Sequence, residues 1–112
     1  MLDYEITARD TAELLRAARE GDRSDFLLLD VREHVEYQTA RVEGSLLIPM
    51  REIPSRVHEL DPDSHIVTMC HAGVRSMNVA LWLRDQGFER VQSMRGGIDA
   101  WSCTVDPDVP RY

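Results

Sequence analysis

One cysteine, Cys70, lies between two segments of different pattern. The apolar run His65–Met69 has the length of a buried strand, and Met77–Gln86 is typical of a helix closed by Gly87. The N–H groups of a turn and of a helix N-terminus can converge on a sulfur placed there and stabilise thiolate over thiol. Because thiolate is the nucleophilic form, the pattern predicts a reactive cysteine. The alternative is an inert, buried residue that ends the strand.

Two residues that follow Cys70 favour the binding of an anion. Arg75 brings a permanent positive charge on a planar fork that suits an oxyanion. Gly73 lets the turn adopt a backbone angle that other residues resist. His71 has two interpretations, a source of a hydrogen bond or proton and a solvent-facing loop residue. Ser76 is predicted to be the helix N-cap rather than a catalytic hydroxyl.

The segments before the loop alternate between strand and helix. Thr7 is predicted to cap a helix that ends at Gly21, after a short strand at Tyr4–Ile6. Phe26–Val31 is apolar without alternation, which is typical of a central strand in a parallel sheet covered on both faces. Ser45–Pro49 predicts a short strand near an edge.

Further segments complete the alternation. Met50–Leu60 is predicted to be helical, with Pro54 in its first turn. The helix after the loop is apolar almost all round and is expected to be largely buried. Arg90–Met94 is predicted to be a strand, and Gly96-Gly97 a tight turn into Ile98–Trp101. The sequence thus predicts an α/β fold with helices on both faces of a sheet.

Asp30 and Arg32 fall at the carboxyl end of the second strand, where open α/β sheets place their ligands. One interpretation puts Asp30 beside the cysteine loop. The favoured one is that the pair ties down the following turn, because structural ion pairs are common at such junctions. One or two helical turns are expected over Glu33–Thr39, with His34 exposed.

Composition limits the function classes. The 112 residues predict one domain, 1–112, and the formal net charge of −7 argues against nucleic acid as a partner. All 13 basic residues are arginine, which excludes lysine Schiff-base chemistry. No apolar run approaches a membrane span, and the N-terminus lacks the pattern of a signal peptide. We therefore expect a cytoplasmic protein with reduced cysteines and no membrane partner.

The histidines give no sign of a metal site. His58 and His65 lie far from any cysteine or carboxylate cluster with metal-ligand spacing. The sequence therefore predicts neither a metal nor a cofactor.

Three segments resemble the rhodanese family in its single-domain form. They are the loop Cys70–Ser76, the stretch Leu28–Glu33 and the ending Met94–Trp101, which fall in the family's order and span nearly the whole chain with their connections. The resemblance implies a three-layer rhodanese-like fold, with a five-stranded mostly parallel sheet in the order 1-5-4-2-3. The cysteine loop then follows the fourth strand.

The chain departs from the family pattern in one place. Where the family usually has a histidine, a proline and a small residue, this chain has Arg41, Glu43 and Ser45. The departure lies outside the cysteine loop, so it is expected to affect local packing more than activity. Arg41 is expected to be a surface residue, with attraction of an anionic substrate as the alternative.

The resemblance also implies a chemistry. Cys70 is expected to take the sulfane sulfur of thiosulfate as a persulfide and pass it to a thiol, to cyanide or to an acceptor protein. Arg75 is expected to bind the sulfonate end of thiosulfate, and backbone N–H groups to stabilise the thiolate and persulfide. The substrate-binding residues so implied are His71, Ala72, Gly73, Val74, Arg75 and Ser76.

Two rival functions remain. Cell-cycle phosphatases of similar fold carry five residues between cysteine and arginine, whereas four separate Cys70 from Arg75 here. The shorter ring is expected to suit a sulfur rather than a phosphate. The second rival is a binding module or persulfide relay with little free turnover. Cys103 is expected to be an ordinary cysteine, with a role in resolving a persulfide as the alternative.

Overall fold

A computed structural model describes residues 2–112, so Met1, the first residue of the predicted domain, lies outside it. The strands are β1 (Glu5–Ile6), β2 (Phe26–Asp30), β3 (Leu46–Leu47), β4 (His65–Met69) and β5 (Val91–Met94). The helices are α1 (Ala8–Arg19), α2 (His34–Thr39), α3 (Ile53–Arg56), α4 (Val74–Asp85) and α5 (Gly97–Thr104). No helix within residues 2–112 combines the length and apolarity needed to cross a membrane.

The five strands form one sheet in the order β1-β5-β4-β2-β3, and every pair is parallel. This confirms the order that the resemblance implies. The central strands β2 and β4 run side by side over their full length, from Phe26 opposite His65 to Asp30 opposite Met69. Both therefore end at the same edge of the sheet, which is where Cys70 follows β4.

Side chains of β4 alternate between two apolar layers, as the period of a strand requires. Ile66 and Cys70 pack in a cluster with residues of α3 and α4. Val67 and Met69 pack on the opposite face with residues of α1 and α5. All of β4 is buried because helices cover both faces, which accounts for the lack of regular polar–apolar alternation in its sequence.

The first helix follows its predicted signals. Thr7 is the N-cap of α1, and its hydroxyl accepts a hydrogen bond of 3.1 Å from the backbone N–H of Asp10. The helix ends at Arg19, and Gly21 then takes a φ of +86°. These local signals are sufficient to set both ends of α1 to within two residues.

The prediction of one helix over Met50–Leu60 is wrong. The segment consists of a 3₁₀ turn at Met50–Glu52, the single turn of α3 and a second 3₁₀ turn at Val57–Glu59. An α-helix starting at Met50 would need a hydrogen bond from the N–H of Pro54, which proline lacks. Pro54 lies in the first turn of α3, as predicted, and the longer helix is broken ahead of it.

Candidate functional site

The connection from β4 to α4 is shorter than the sequence predicts. It consists of Cys70–Gly73, because α4 begins at Val74 and not at Met77. Gly73 is the N-cap, and its φ of +116° turns the chain straight into the helix without a side-chain cap. The prediction that Ser76 is the N-cap is therefore wrong, since Ser76 lies in the first turn of α4.

The Cys70 sulfur is enclosed by this turn. Cys70 is 1% exposed, the backbone N–H of Gly73 donates to Sγ at 3.1 Å, and the Ser76 hydroxyl oxygen lies 3.4 Å from Sγ. Burial raises the pKa of the Cys70 thiol, but hydrogen bonds from the Ser76 hydroxyl and from backbone N–H groups of Ser76, Gly73 and Ala72 outweigh it. The pKa therefore lies below that of an ordinary thiol, which favours the nucleophilic thiolate.

A buried hydroxyl lies behind the serine that contacts the sulfur. Ser93 Oγ is 2.7 Å from Ser76 Oγ, and both residues are fully buried. Thr68 donates its hydroxyl to the backbone carbonyl of Ser76 at 2.7 Å. The first turn of α4 is thus held by side chains of β4 and β5.

The turn into α5 supports the loop from the other side. The N–H groups of Ile98 and Asp99 donate to the carbonyls of Cys70 and His71, at 2.8 and 3.2 Å. A Cβ placed on Gly97 would lie 2.4 Å from each of these two carbonyl oxygens. Only glycine permits this approach, so the predicted tight turn also holds the backbone of the cysteine loop.

Arg75 is paired with a carboxylate that the sequence pattern does not indicate. Its guanidinium donates to both carboxylate oxygens of Glu36 at 2.6 and 2.9 Å, and the Tyr112 hydroxyl donates to Glu36 at 2.8 Å. The hydrogen bonds with Arg75 outweigh partial burial and lower the pKa of Glu36 to about 2. The pair therefore stays ionised at neutral pH.

Tyr112 lies beside the loop, although no motif in the sequence points to it. Its hydroxyl accepts a hydrogen bond of 2.9 Å from Arg32, and its ring centroid lies 4.3 Å from that of His71. His71 is thus half-buried against Tyr112 rather than a freely solvent-facing residue. Among residues 2–112, its Nδ1 is the buried side-chain polar atom that has no hydrogen-bond partner.

The side chains of the predicted loop residues differ in their exposure to solvent. Those of Ala72 and Val74 are exposed, and Val74 is 74% exposed. Cys70 and Ser76 are buried, with Arg75 between these extremes. The loop therefore brings together the cysteine, its backbone donors and the Ser76 hydroxyl, while Arg75 extends to Glu36.

Asp30 and Arg32 form a buried ion pair, as the favoured interpretation predicts. Both side chains are fully buried, with Arg32 Nη2 2.7 Å from Asp30 Oδ2. Arg32 also donates to the carbonyl of Ala40 at 2.7 Å, which ties the end of α2 to the sheet. Arg41 is exposed, as expected, and lies 3.7 Å from the carboxylate of Glu43.

The remaining candidate residues lie apart from this arrangement. Cys103 is an exposed free cysteine on α5. The imidazole of His65 contacts the Gln92 side chain at 2.8 Å, which gives it a structural partner. Across the described residues, no group of three or more histidine, cysteine or acidic side chains is arranged to hold a metal ion.

Comparisons with known proteins agree with this architecture. A family model for the rhodanese-like domain matches residues 11–103. Thiosulfate sulfurtransferase GlpE of Pseudoalteromonas translucida is 33% identical over 106 residues, which cover 95% of both chains. The crystal structure of a rhodanese-related protein from Thermoplasma volcanium superposes with a TM-score of 0.77 at 26% identity, covering 96% of both chains.

A further relative is much longer than this chain. The rhodanese-like/PpiC domain-containing protein 12, chloroplastic, of Arabidopsis thaliana is 40% identical over 89 residues, and the match covers 76% of this chain and 30% of that protein. The sheet order and the cysteine turn define a rhodanese-like domain. The chain belongs to the rhodanese family of sulfurtransferases.

Proposed function

We propose that this protein transfers a sulfane sulfur from thiosulfate to a thiophilic acceptor through a persulfide on Cys70. The observation that carries the proposal is the enclosure of Cys70 Sγ, with Gly73 N–H at 3.1 Å and the Ser76 hydroxyl at 3.4 Å. These donors lower the pKa of the thiol against the opposing effect of burial. The fraction of thiolate, the form that attacks sulfur, is therefore larger than for an ordinary thiol.

The proposed reaction has two half-reactions. The Cys70 thiolate attacks the outer sulfur of thiosulfate, a new S–S bond forms, and the original S–S bond breaks as sulfite leaves with its electron pair. Cyanide or a thiolate acceptor then attacks the terminal sulfur of the persulfide. The Cys70 thiolate is released with the electron pair of the broken bond, and the sulfur leaves as thiocyanate or as a new persulfide.

The backbone of the loop is proposed to stabilise the charged states. The N–H groups of residues 71–76, among which Ala72, Gly73 and Ser76 donate to the sulfur, are proposed to stabilise the thiolate and the anionic persulfide. They are fixed by the support that α5 gives to the carbonyls of Cys70 and His71. This preorganisation costs no rearrangement when the charge moves between the two sulfur atoms.

Arg75 is proposed to bind the sulfonate end of thiosulfate. Two of its donors engage Glu36, and a guanidinium has five N–H groups, so the pair still has donors for a second anion. Glu36 fixes the guanidinium plane and offsets part of its charge. His71 and the exposed residues Ala72 and Val74 are proposed to line the approach to the sulfur.

Initial-rate kinetics test this proposal. With thiosulfate and cyanide varied together, we expect the parallel reciprocal plots of a ping-pong reaction and no turnover by Cys70→Ser. The proposed acceptors include a protein thiol, and the proposed location is the cytoplasm, where thiols stay reduced. Turnover with persulfide donors but not with thiosulfate would replace this function with a persulfide relay. Turnover by Cys70→Ser would refute the role of the cysteine.

A further inference from the structure

The side chains of Ser93, Ser76 and Cys70 form a buried hydrogen-bonded line that ends at the proposed nucleophile, Cys70 Sγ. Ser93 Oγ lies 2.7 Å from Ser76 Oγ, which lies 3.4 Å from Cys70 Sγ. Ser76 and Ser93 are fully buried, and Cys70 is 1% exposed. Ser93 belongs to β5, and its backbone N–H donates to the carbonyl of Tyr4 at 2.8 Å, so its position is set by the sheet.

The direction of these hydrogen bonds follows from counting hydrogens. With a neutral thiol, Cys70, Ser76 and Ser93 hold three hydrogens, but the line has only two contacts, and each contact accommodates one hydrogen. Within the described residues, Ser93 Oγ has no hydrogen-bond partner besides Ser76. One hydrogen is therefore left without an acceptor in a buried place.

The thiolate removes this excess. Two hydrogens then fill two contacts, since Ser93 donates to Ser76 and Ser76 donates to the sulfur. Ser93 has no other acceptor in the described part of the chain, so its hydrogen is directed toward Ser76. Since the Ser76 oxygen then accepts the hydrogen of Ser93, the hydrogen of Ser76 itself is directed toward Cys70 Sγ.

We propose that Ser93 is a positioning residue for the nucleophile, because its hydroxyl commits the Ser76 hydroxyl to donating to Cys70 Sγ. The inference rests on the proposed role of Cys70 and adds a residue of β5 that does not touch the sulfur. Thr68 has a different task, since its hydroxyl donates to the backbone carbonyl of Ser76 and not to its side chain.

The test is the pH dependence of Cys70 alkylation by iodoacetamide, read by mass spectrometry from tryptic peptides. Cleavage after arginine places Cys70, residue 93 and Cys103 in separate peptides, residues 57–75, 91–95 and 96–111. In Ser93→Ala, we expect alkylation below the thiol pKa to slow roughly threefold to tenfold, the equivalent of one neutral hydrogen bond. Ser93→Thr, which keeps the hydroxyl, is expected to restore the wild-type profile.

Ser102→Ala is the matched control. Ser102 is also a buried serine, but its hydroxyl donates to the carbonyl of Ile98 on α5. We expect its alkylation profile to equal that of the wild type. The ionisable groups on the loop, at the start of α4 and on the elements packed against them are His71, Arg75, Glu36, Asp99 and Tyr112, and none of them is altered in these variants.

A double-mutant cycle separates positioning from general loosening of the site. In a Ser76→Ala background there is no hydroxyl to orient, so Ser93→Ala is expected to cause no further change in the alkylation profile. An equal slowing in both backgrounds, or an unchanged profile in Ser93→Ala alone, would overturn the proposal. If Ser93→Ala does not fold by circular dichroism, Ser93→Cys supplies the comparison, because a thiol is a much weaker donor.

Alkylation does not require sulfur transfer. A protein that fails to turn over thiosulfate but keeps the Ser93-dependent profile would contradict the proposed function and support this inference. A protein that turns over thiosulfate but has an alkylation profile independent of Ser93 would support the proposed function and contradict this inference.

Discussion

The carboxylate of Glu36 and the guanidinium of Arg75 are joined by two hydrogen bonds of 2.6 and 2.9 Å, across 39 residues of sequence. This pair links α2 to the first turn of α4 beside the cysteine loop. The arginine that the sequence marks as an anion-binding group is thus already held by an anion of the protein itself. The affinity of Arg75 for an anionic substrate is therefore expected to depend on Glu36 as well as on Arg75.

Replacing Arg75 and replacing Glu36 are expected to change the KM for thiosulfate in opposite directions. Arg75→Gln removes the charge and the fork, so we expect the KM for thiosulfate to rise about tenfold or more. Glu36→Gln keeps an oxygen that accepts from Arg75 but removes a negative charge, so we expect that KM to fall about threefold at low salt.

Steady-state kinetics at two ionic strengths test these two predictions. The gain in Glu36→Gln is expected to shrink at high salt, and Glu43→Gln, at an exposed glutamate paired with Arg41, is expected to leave KM unchanged. An unchanged KM in Arg75→Gln would show that Arg75 does not contact the donor.

The same ion pair is expected to make stability depend on acid pH. The pKa of Glu36 is lowered from 4.5 to about 2, so its contribution is complete above pH 4.5 and is lost as the pH falls toward 2. The full contribution is at most about 3 kcal/mol, and screening by solvent reduces it. Urea unfolding at several pH values between about 5 and 2.5 is expected to give a flatter stability profile for Glu36→Gln than for the wild type. Identical slopes would contradict this assignment.

Gly97→Ala is expected to displace the cysteine loop. The added Cβ would lie 2.4 Å from the carbonyl oxygens of Cys70 and His71, so the backbone has to move by about 1 Å, which is enough to lower turnover about a hundredfold. Gly87→Ala is the control, because Gly87 also has a positive φ, of +97°, but its Cβ would meet no atom within 4 Å. Equal turnover in the two variants would contradict the supporting role of Gly97.

Phosphate esters are expected to be poor substrates. Four residues separate Cys70 from Arg75, and the turn already places Gly73 N–H 3.1 Å from the sulfur. A ring of this size is expected to suit a sulfur and to leave little space for a tetrahedral phosphate. We predict that the wild-type protein hydrolyses an aryl phosphate no faster than the Cys70→Ser variant does. Faster hydrolysis by the wild type would refute this prediction.

Local signals in the sequence predict the scaffold well. Thr7 caps α1, and the apolar run His65–Met69 is β4 with the predicted ends. The order of the strands comes from the resemblance alone, since periodicity does not specify which strands are neighbours. The start of α4 is predicted three residues late because Gly73 caps it through its backbone conformation, without a side-chain signal.

The surroundings of the cysteine are harder to predict. Glu36, Ser93, Gly97 and Tyr112 reach the loop from distant parts of the chain, and their contacts depend on the packing of the sheet and helices. Ser93 is one of two polar residues in the short strand β5, and nothing in its neighbours indicates that it faces Ser76. The extent of the domain and the roles of the loop residues stay predictions.

The decisive test for a persulfide on Cys70 is intact mass spectrometry of the reduced protein after incubation with thiosulfate. We predict a gain of about 32 Da that is absent from Cys70→Ser and is discharged by cyanide. A gain that persists in Cys70→Ser would place the sulfur on Cys103 or elsewhere. No gain with thiosulfate or with persulfide donors would contradict a Cys70 persulfide.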